Sequence, residues 1–400
     1  MSILFCITFS IILLSLVYRG KMEFSNIILL GFILRVILMI IDLNHIFPVL
    51  HSGADSESFH RIALQNSITG DDYTRTNYTP FLTAIYSMFK DRPRLVAQFI
   101  NVLFGTSVLI IVRRCMQLCN VPYKIKKVVM WILALMPNFM IFSAILLREA
   151  WIEFFIALSL LFFIKWFLHK GNNIINITMS IACVFGAAYM HSGVIAVAIG
   201  YMLAFIMYRQ TQQKIKFSVV SIIFIAVAIA AISVYMANLD TLGGKFVNIE
   251  EVNDEFIEEQ LEGIESRGDS AYLQWLNVSS PAVGFAVLPL RMFYFLFSPI
   301  PFDWRGLNDI IAFVFDGLIY LFLIPMCIRA KIEDKVMKNM RLFLLTSVFL
   351  TSLIFSVGTF TAGTAIRHRA KFLSVVAVAY AISQTGEKND NNKKRLRWRL

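Results

Sequence analysis

Residues 95–112 read LVAQFINVLFGTSVLIIV, and Arg113 and Arg114 follow at once. Eighteen residues without a formal charge make a helix about 27 Å long, close to the hydrocarbon thickness of a bilayer. The two arginines then anchor its end on the cytoplasmic side. Further apolar stretches predict spans at 3–18, 25–48, 128–147, 150–168, 174–190, 192–208, 217–236, 308–328, 342–359 and 371–383. The composition agrees, with 58% hydrophobic and only 16% charged residues, whereas a soluble domain carries roughly 25% charged. The expected fold is all-α: a polytopic transmembrane bundle of about 11 spans, with residues 1–385 as one membrane-embedded domain.

Charge sets the expected orientation. No basic residue precedes the first span, and Arg19 and Lys21 follow it, the reverse of a secretory signal peptide, which puts the N-terminus outside. The alternation then gathers Arg113, Arg114, Lys124, Lys126 and Lys127, then Arg209, Lys214 and Lys216, then Arg329, Lys331, Lys335, Lys338 and Arg341 into cytoplasmic loops. The C-terminus is cytoplasmic too, with a basic tail at 386–400 that suits anionic lipid. The net charge of +11 is therefore membrane topology, not a nucleic-acid surface. The stretch 282–305 is read as re-entrant or interfacial. A crossing there would put the Arg329–Arg341 cluster outside, and Pro281, Pro289, Pro299 and Pro301 interrupt regular helix. Outer loops fall at 51–94 and 238–307, and spacings of three and four within 251–265 predict an amphipathic acidic helix. Cys6, Cys115, Cys119, Cys183 and Cys327 all lie away from the outer loops and read as free thiols.

Four places carry chemistry. The outer loop HSGADSESFHRIA, 51–63, sets Asp55, Glu57, His60 and Arg61 where membrane meets water. Asp55 and Glu57 are two apart, so an extended segment turns both toward one site, and Glu57 meets His60 or Arg61 if a helix starts here. Such a cluster could deprotonate a hydroxyl or hold a divalent cation; a helix start capped by Asp55 or Ser56 is the plainer reading. Asp71, Asp72 and Arg75 are accounted for by a Gly-Asp-Asp turn. In 137–155, PNFMIFSAILLREAWIEFF, Arg148 and Glu149 break an apolar run, and Glu153 lies one turn below Glu149. His191 opens the next outer hairpin. In 288–306, Arg291 lies within an aromatic apolar stretch and needs an anionic partner such as a lipid phosphate. Last, GTAIRHRAKF at 363–372 places Arg367, His368, Arg369 and Lys371 at an outer mouth, against the positive-inside bias. Forked arginine donors there match phosphate or pyrophosphate. Arg35 and Asp316, deep in their spans, are expected to form structural ion pairs or line a polar cavity. The chain has no Walker-type loop, dinucleotide fingerprint or metalloprotease helix.

The order Asp55-Ser-Glu57, Phe59-His60, Tyr78-Thr-Pro80, Pro137-Asn138, Ser143 and Leu147-Arg148-Glu149 resembles the multi-spanning GT-C type glycosyltransferases, including the dolichyl-phosphate-mannose-protein mannosyltransferase-like group. The second half, with Arg291 and Arg367 to Arg369, looks like bacterial surface-polysaccharide proteins of the O-antigen polymerase type. The resemblance implies a plasma-membrane enzyme of capsular or other envelope polysaccharide biosynthesis. Its donor would be a sugar on polyprenyl phosphate or pyrophosphate, its partners a saccharide acceptor, membrane lipid and other assembly proteins. Asp55 would be the base, supported by Glu57, with transfer outside the cytoplasm. The competing expectations are a flippase for lipid-linked oligosaccharide, in which the same arginines bind pyrophosphate without chemistry, and a non-catalytic assembly subunit.

Overall fold

A computed structural model describes residues 1–49, 52–227, 272–273, 281–359 and 361–385. Helix α1 spans Ser2–Arg19, α2 Ser25–Leu43, α3 Ala54–Thr69, α4 Thr79–Met88, α5 Pro93–Leu118, α6 Tyr123–Leu135, α7 Pro137–Phe142, α8 Glu149–Phe167, α9 Asn173–Met190 and α10 Ala196–Met207. A two-residue antiparallel pair, β1 Tyr208–Arg209 with β2 Lys214–Ile215, is a small departure from the all-α expectation. Then come α11 Pro281–Phe297, α12 Leu307–Arg329, α13 Lys335–Val357, α14 Ala362–Ala370 and α15 Leu373–Ser383. The protein is a multi-pass helical membrane bundle. Among the described residues seven helices, α1, α2, α5, α8, α9, α12 and α13, are long and apolar enough to cross a membrane. The segments at 192–207, in α11 and in α15 are apolar but shorter. The span expected at 217–236 is helical from 219 to 227, where description stops. The acidic stretch 251–265 and the tail 386–400 lie outside the described residues.

The stretch 128–147 is not one helix, contrary to its apolar reading. Helix α6 ends at Leu135, and Met136 is extended (φ −60°, ψ 115°) because the ring of Pro137 excludes the helical region for the residue before it. Helix α7 then ends at Phe142, and residues 143–147 run irregularly with no exposure at all. Irregular backbone at membrane depth needs internal partners for its carbonyls. Asn101 of α5 supplies two, its Nδ2 donating to the carbonyls of Ile145 and Leu147 at 2.8 Å each. Arg35 of α2, fully buried, donates to the Ser143 hydroxyl at 2.8 Å, to Gly31 O at 2.9 Å and to Leu133 O at 3.5 Å. Arg35, for which a structural ion pair or a polar cavity was expected, thus braces the break through a hydroxyl and two backbone carbonyls.

Two further departures have local causes. Pro281 and Pro289 do not interrupt α11: the first begins the helix, where no donor is needed, and the second lies inside it, with the helix running on to Phe297. Asp316 lies in a π-helical stretch of α12, Phe313–Gly317, and a Cβ on Gly317 would come within 2.5 Å of the Phe297 carbonyl. The absent side chain lets α12 close on the end of α11.

At the centre is α15, all eleven of whose residues are buried, against α5, α8, α12 and α13. A helix apolar on every side belongs inside. Against α13, α10 packs through Gly200, where an added Cβ would lie 2.7 Å from the Ser347 Cα. Small residues allow such close helix approach in lipid. Gly200→Ala should therefore force the pair apart and cost about 1–3 kcal/mol, the usual range for overpacking, read as a lowered unfolding midpoint in detergent. An unchanged midpoint would show that the two helices do not meet this closely.

Candidate active site

Three segments distant in sequence meet at the end of the bundle that carries α3. Arg367 of α14 donates through Nη1 to Asp55 Oδ2 at 2.7 Å, and through Nε and Nη2 to Glu149 Oε1 at 3.2 and 2.9 Å. One guanidinium fork thus ties the start of α3 to the start of α8. The other oxygen of Asp55 accepts from Arg75 at 2.8 Å, and Arg75 itself lies over the Phe59 ring at 5.6 Å. Glu149 is buried, whereas about a third of Asp55 is exposed. Burial alone would raise the Asp55 carboxyl, but hydrogen bonds and charge from Arg367 and Arg75 outweigh it and hold the group below the ordinary carboxylate range. Asp55 is therefore ionised at neutral pH.

More cationic and imidazole groups surround this pair. Arg148, directly before α8, donates to the Met190 carbonyl at 3.0 Å, keeps its buried Nε without a partner among the described residues, and feels the charges of Glu149, Arg367 and Asp55. His191 and His368 pack ring to ring at 4.9 Å, both against Phe355 at 5.3 and 4.5 Å. The Lys371 ammonium lies 5.3 Å over the same phenyl ring. The structure thus brings together Asp55, Arg148, Glu149, His191, Arg367, His368 and Lys371.

Glu57 is directed elsewhere. Residues 54–69 are helical, not extended, so positions two apart diverge by about 200° around the axis. Glu57 pairs with Arg94 at 2.7 Å; Arg94 also reaches Asp42 at 3.4 Å, and Gln98 donates to Asp42 at 2.5 Å. His60 meets the Tyr86 hydroxyl at 2.7 Å, and it lines a cleft of about 500 Å³ with Arg94, His45 and Leu43. Burial, with the charge of Arg94, holds the His60 imidazole below its usual range.

Arg369, two residues from Arg367, likewise turns to another face. Its donors go to Asp316 and to the carbonyls of Phe295 (2.9 Å) and Ser298, with the guanidinium over the Tyr320 ring at 5.6 Å. Arg369 and Asp316 form the structural pair foreseen for Asp316, at a place where Asn138 also donates to Asp316 at 3.3 Å. Arg291 donates to the Val357 carbonyl at 3.4 Å. Among the described residues no three His, Cys, Asp or Glu side chains gather as a metal site requires, and the five cysteines are free.

Sequence reading assigned Arg75 to a turn and passed over Arg94 and Asn101. The available signals were a charge or an amide placed just inside, or just beyond, an apolar run. No protein-family model, curated protein or solved structure matches this chain, so the chemistry of the site carries the functional reading.

Proposed function

We propose that the protein is a membrane glycosyltransferase of bacterial cell-surface polysaccharide biosynthesis, capsular or other envelope, that draws on polyprenyl-phosphate- or pyrophosphate-linked sugar donors at the extracytoplasmic face of the plasma membrane. The observation that carries this reading is the Arg367 guanidinium held between Asp55 and Glu149, beside Arg148. Arginine forks that grip carboxylates have the geometry to grip phosphate. On donor binding, Arg367 and Arg148 transfer donors to phosphate oxygens, which frees one oxygen of Asp55. An acceptor hydroxyl placed there attacks the anomeric carbon of the donor sugar. Its proton passes to Asp55, the anomeric C–O bond breaks, and the electron pair leaves on phosphate, where the two guanidinium groups offset the charge. Arg75 keeps Asp55 ionised beforehand. Lipid and other assembly proteins are the expected partners, and repeated transfer would make the enzyme a repeat-unit polymerase.

Reconstituted protein supplied with polyprenyl-linked sugar and a saccharide acceptor should yield a glycosidic product. Asp55→Asn should lower that yield roughly a hundredfold or more, the usual loss with a general base, while still inserting and accumulating. Near-normal product from Asp55→Asn would remove Asp55 as the base. Movement of the lipid-linked sugar across the bilayer without any product would favour the flippase reading, in which the same cations bind phosphate and no bond changes.

A further inference from the structure

Beneath the Arg367 layer, one turn further along α8, Glu153 is 1% exposed, and neither of its carboxyl oxygens has a hydrogen-bond partner among the described residues. Glu149 Oε2 is buried and has no partner among those residues either. The charged and titratable groups that face Glu153 are Arg35 from α2, Glu149 from its own helix, Lys371 from the link between α14 and α15, and Tyr320 from α12. None of them hydrogen-bonds or ion-pairs with it among the described residues. Arg35 directs one donor from each of its three nitrogens to Ser143, Gly31 and Leu133, and the Tyr320 hydroxyl donates to the Arg369 carbonyl at 2.9 Å. Lys371 makes no ion pair or hydrogen bond among the described residues and lies against Phe355. A bare carboxylate in such surroundings is strongly disfavoured; a carboxylic acid is not.

We propose that Glu153 is a proton-binding site inside the bundle and that Glu149 is the group with which it exchanges the proton. In the state described here Arg367 balances the charge of Glu149, and Glu153 is the neutral acid. When an anion draws the donors of Arg367 away, Glu149 loses its partner. The proton then moves from Glu153 to Glu149 Oε2: one O–H bond breaks, one forms, and the negative charge moves inward, closer to Arg35. The proton site rests on helix packing alone, while its response to a phosphate ligand rests on the reading of the Arg367 site given above.

Infrared spectra of the full-length wild type in detergent should contain a protonated-carboxyl C=O band that shifts in heavy water and disappears in Glu153→Gln. Dicyclohexylcarbodiimide, which modifies protonated carboxyls in apolar settings, should leave its adduct on Glu153 of the wild type, identified by peptide mass. That assignment stands even if Glu153→Gln fails to fold. A wild type without the band, a folded Glu153→Gln that keeps it in full, or adducts only at other carboxyls would overturn the proposal. A chain that shows the band and the Glu153 adduct but forms no glycosidic product would keep the proton site and sink the sugar-transfer reading alone.

Discussion

Arg369→Leu should unfold the bundle more readily than any other single change at this end of the molecule, with a loss of about 3–5 kcal/mol, the range for removing one partner of a buried ion pair. Arg369 and Asp316 are both fully buried. The substitution leaves the Asp316 carboxylate with the Asn138 amide alone, and it takes the donor from the carbonyls of Phe295 and Ser298, which end α11. Arg369→Lys keeps the charge, but its three donors radiate from one nitrogen and cannot span acceptors that Nε, Nη1 and Nη2 reach from separate atoms, so it should fall in between. Pairing Arg369→Leu with Asp316→Leu should recover part of the loss, because the stranded charge is then gone. The measurement is the unfolding midpoint in detergent for the two single variants and the double variant. A midpoint within error of wild type for Arg369→Leu would mean that this pair does not hold α11, α12 and α14 together.

At Arg367 the expected effects on stability and on activity separate. Arg367→Met strands Glu149, which is buried, and should cost about 3 kcal/mol, since breaking a buried pair leaves an uncompensated charge. The Asp55 arm adds little, because Asp55 is a third exposed and keeps Arg75. Glu149→Gln placed in the same chain should restore most of the unfolding midpoint. It should not restore sugar transfer, for which Arg367 is the phosphate ligand. Arg367→Lys retains one charge without the fork and should lose roughly a hundredfold in rate, as when a single preorganised donor is removed. Full activity in Arg367→Lys would show that a point charge suffices, and the bidentate phosphate contact would have to be given up.

The spanning helices were legible because hydropathy reports side chains, and α1, α2, α5, α8, α9, α12 and α13 each hold an 18-residue stretch of high mean hydropathy with no more than two charged residues. The break at Pro137 was not legible for the same reason: residues 139–147 are apolar but for Ser143, although the backbone leaves the helix after Phe142. Charges out of place drew attention to Asp55, Arg148, Glu149 and Arg367 in three separate stretches, and only the fold brings the three together. The sequence could not show which face each occupies. Asp55 and Glu57 diverge, as do Arg367 and Arg369, because both pairs sit two apart on helices, α3 and α14. Asn101 carries no charge and stands inside a perfect span, so only the tertiary contacts of its amide with Ile145 and Leu147 reveal its role.

The broken segment also bears on how the chain enters the bilayer during synthesis. An uninterrupted helix can leave the translocation channel alone, its peptide groups already satisfied, but 123–148 cannot, because the carbonyls of Ile145 and Leu147 would face lipid bare. Their partner amide belongs to α5, which is made first and is joined to α6 by only the short link 119–122. The nascent chain therefore makes Asn101 before the segment that depends on it, so the two carbonyls have their partner as soon as 143–147 packs on α5.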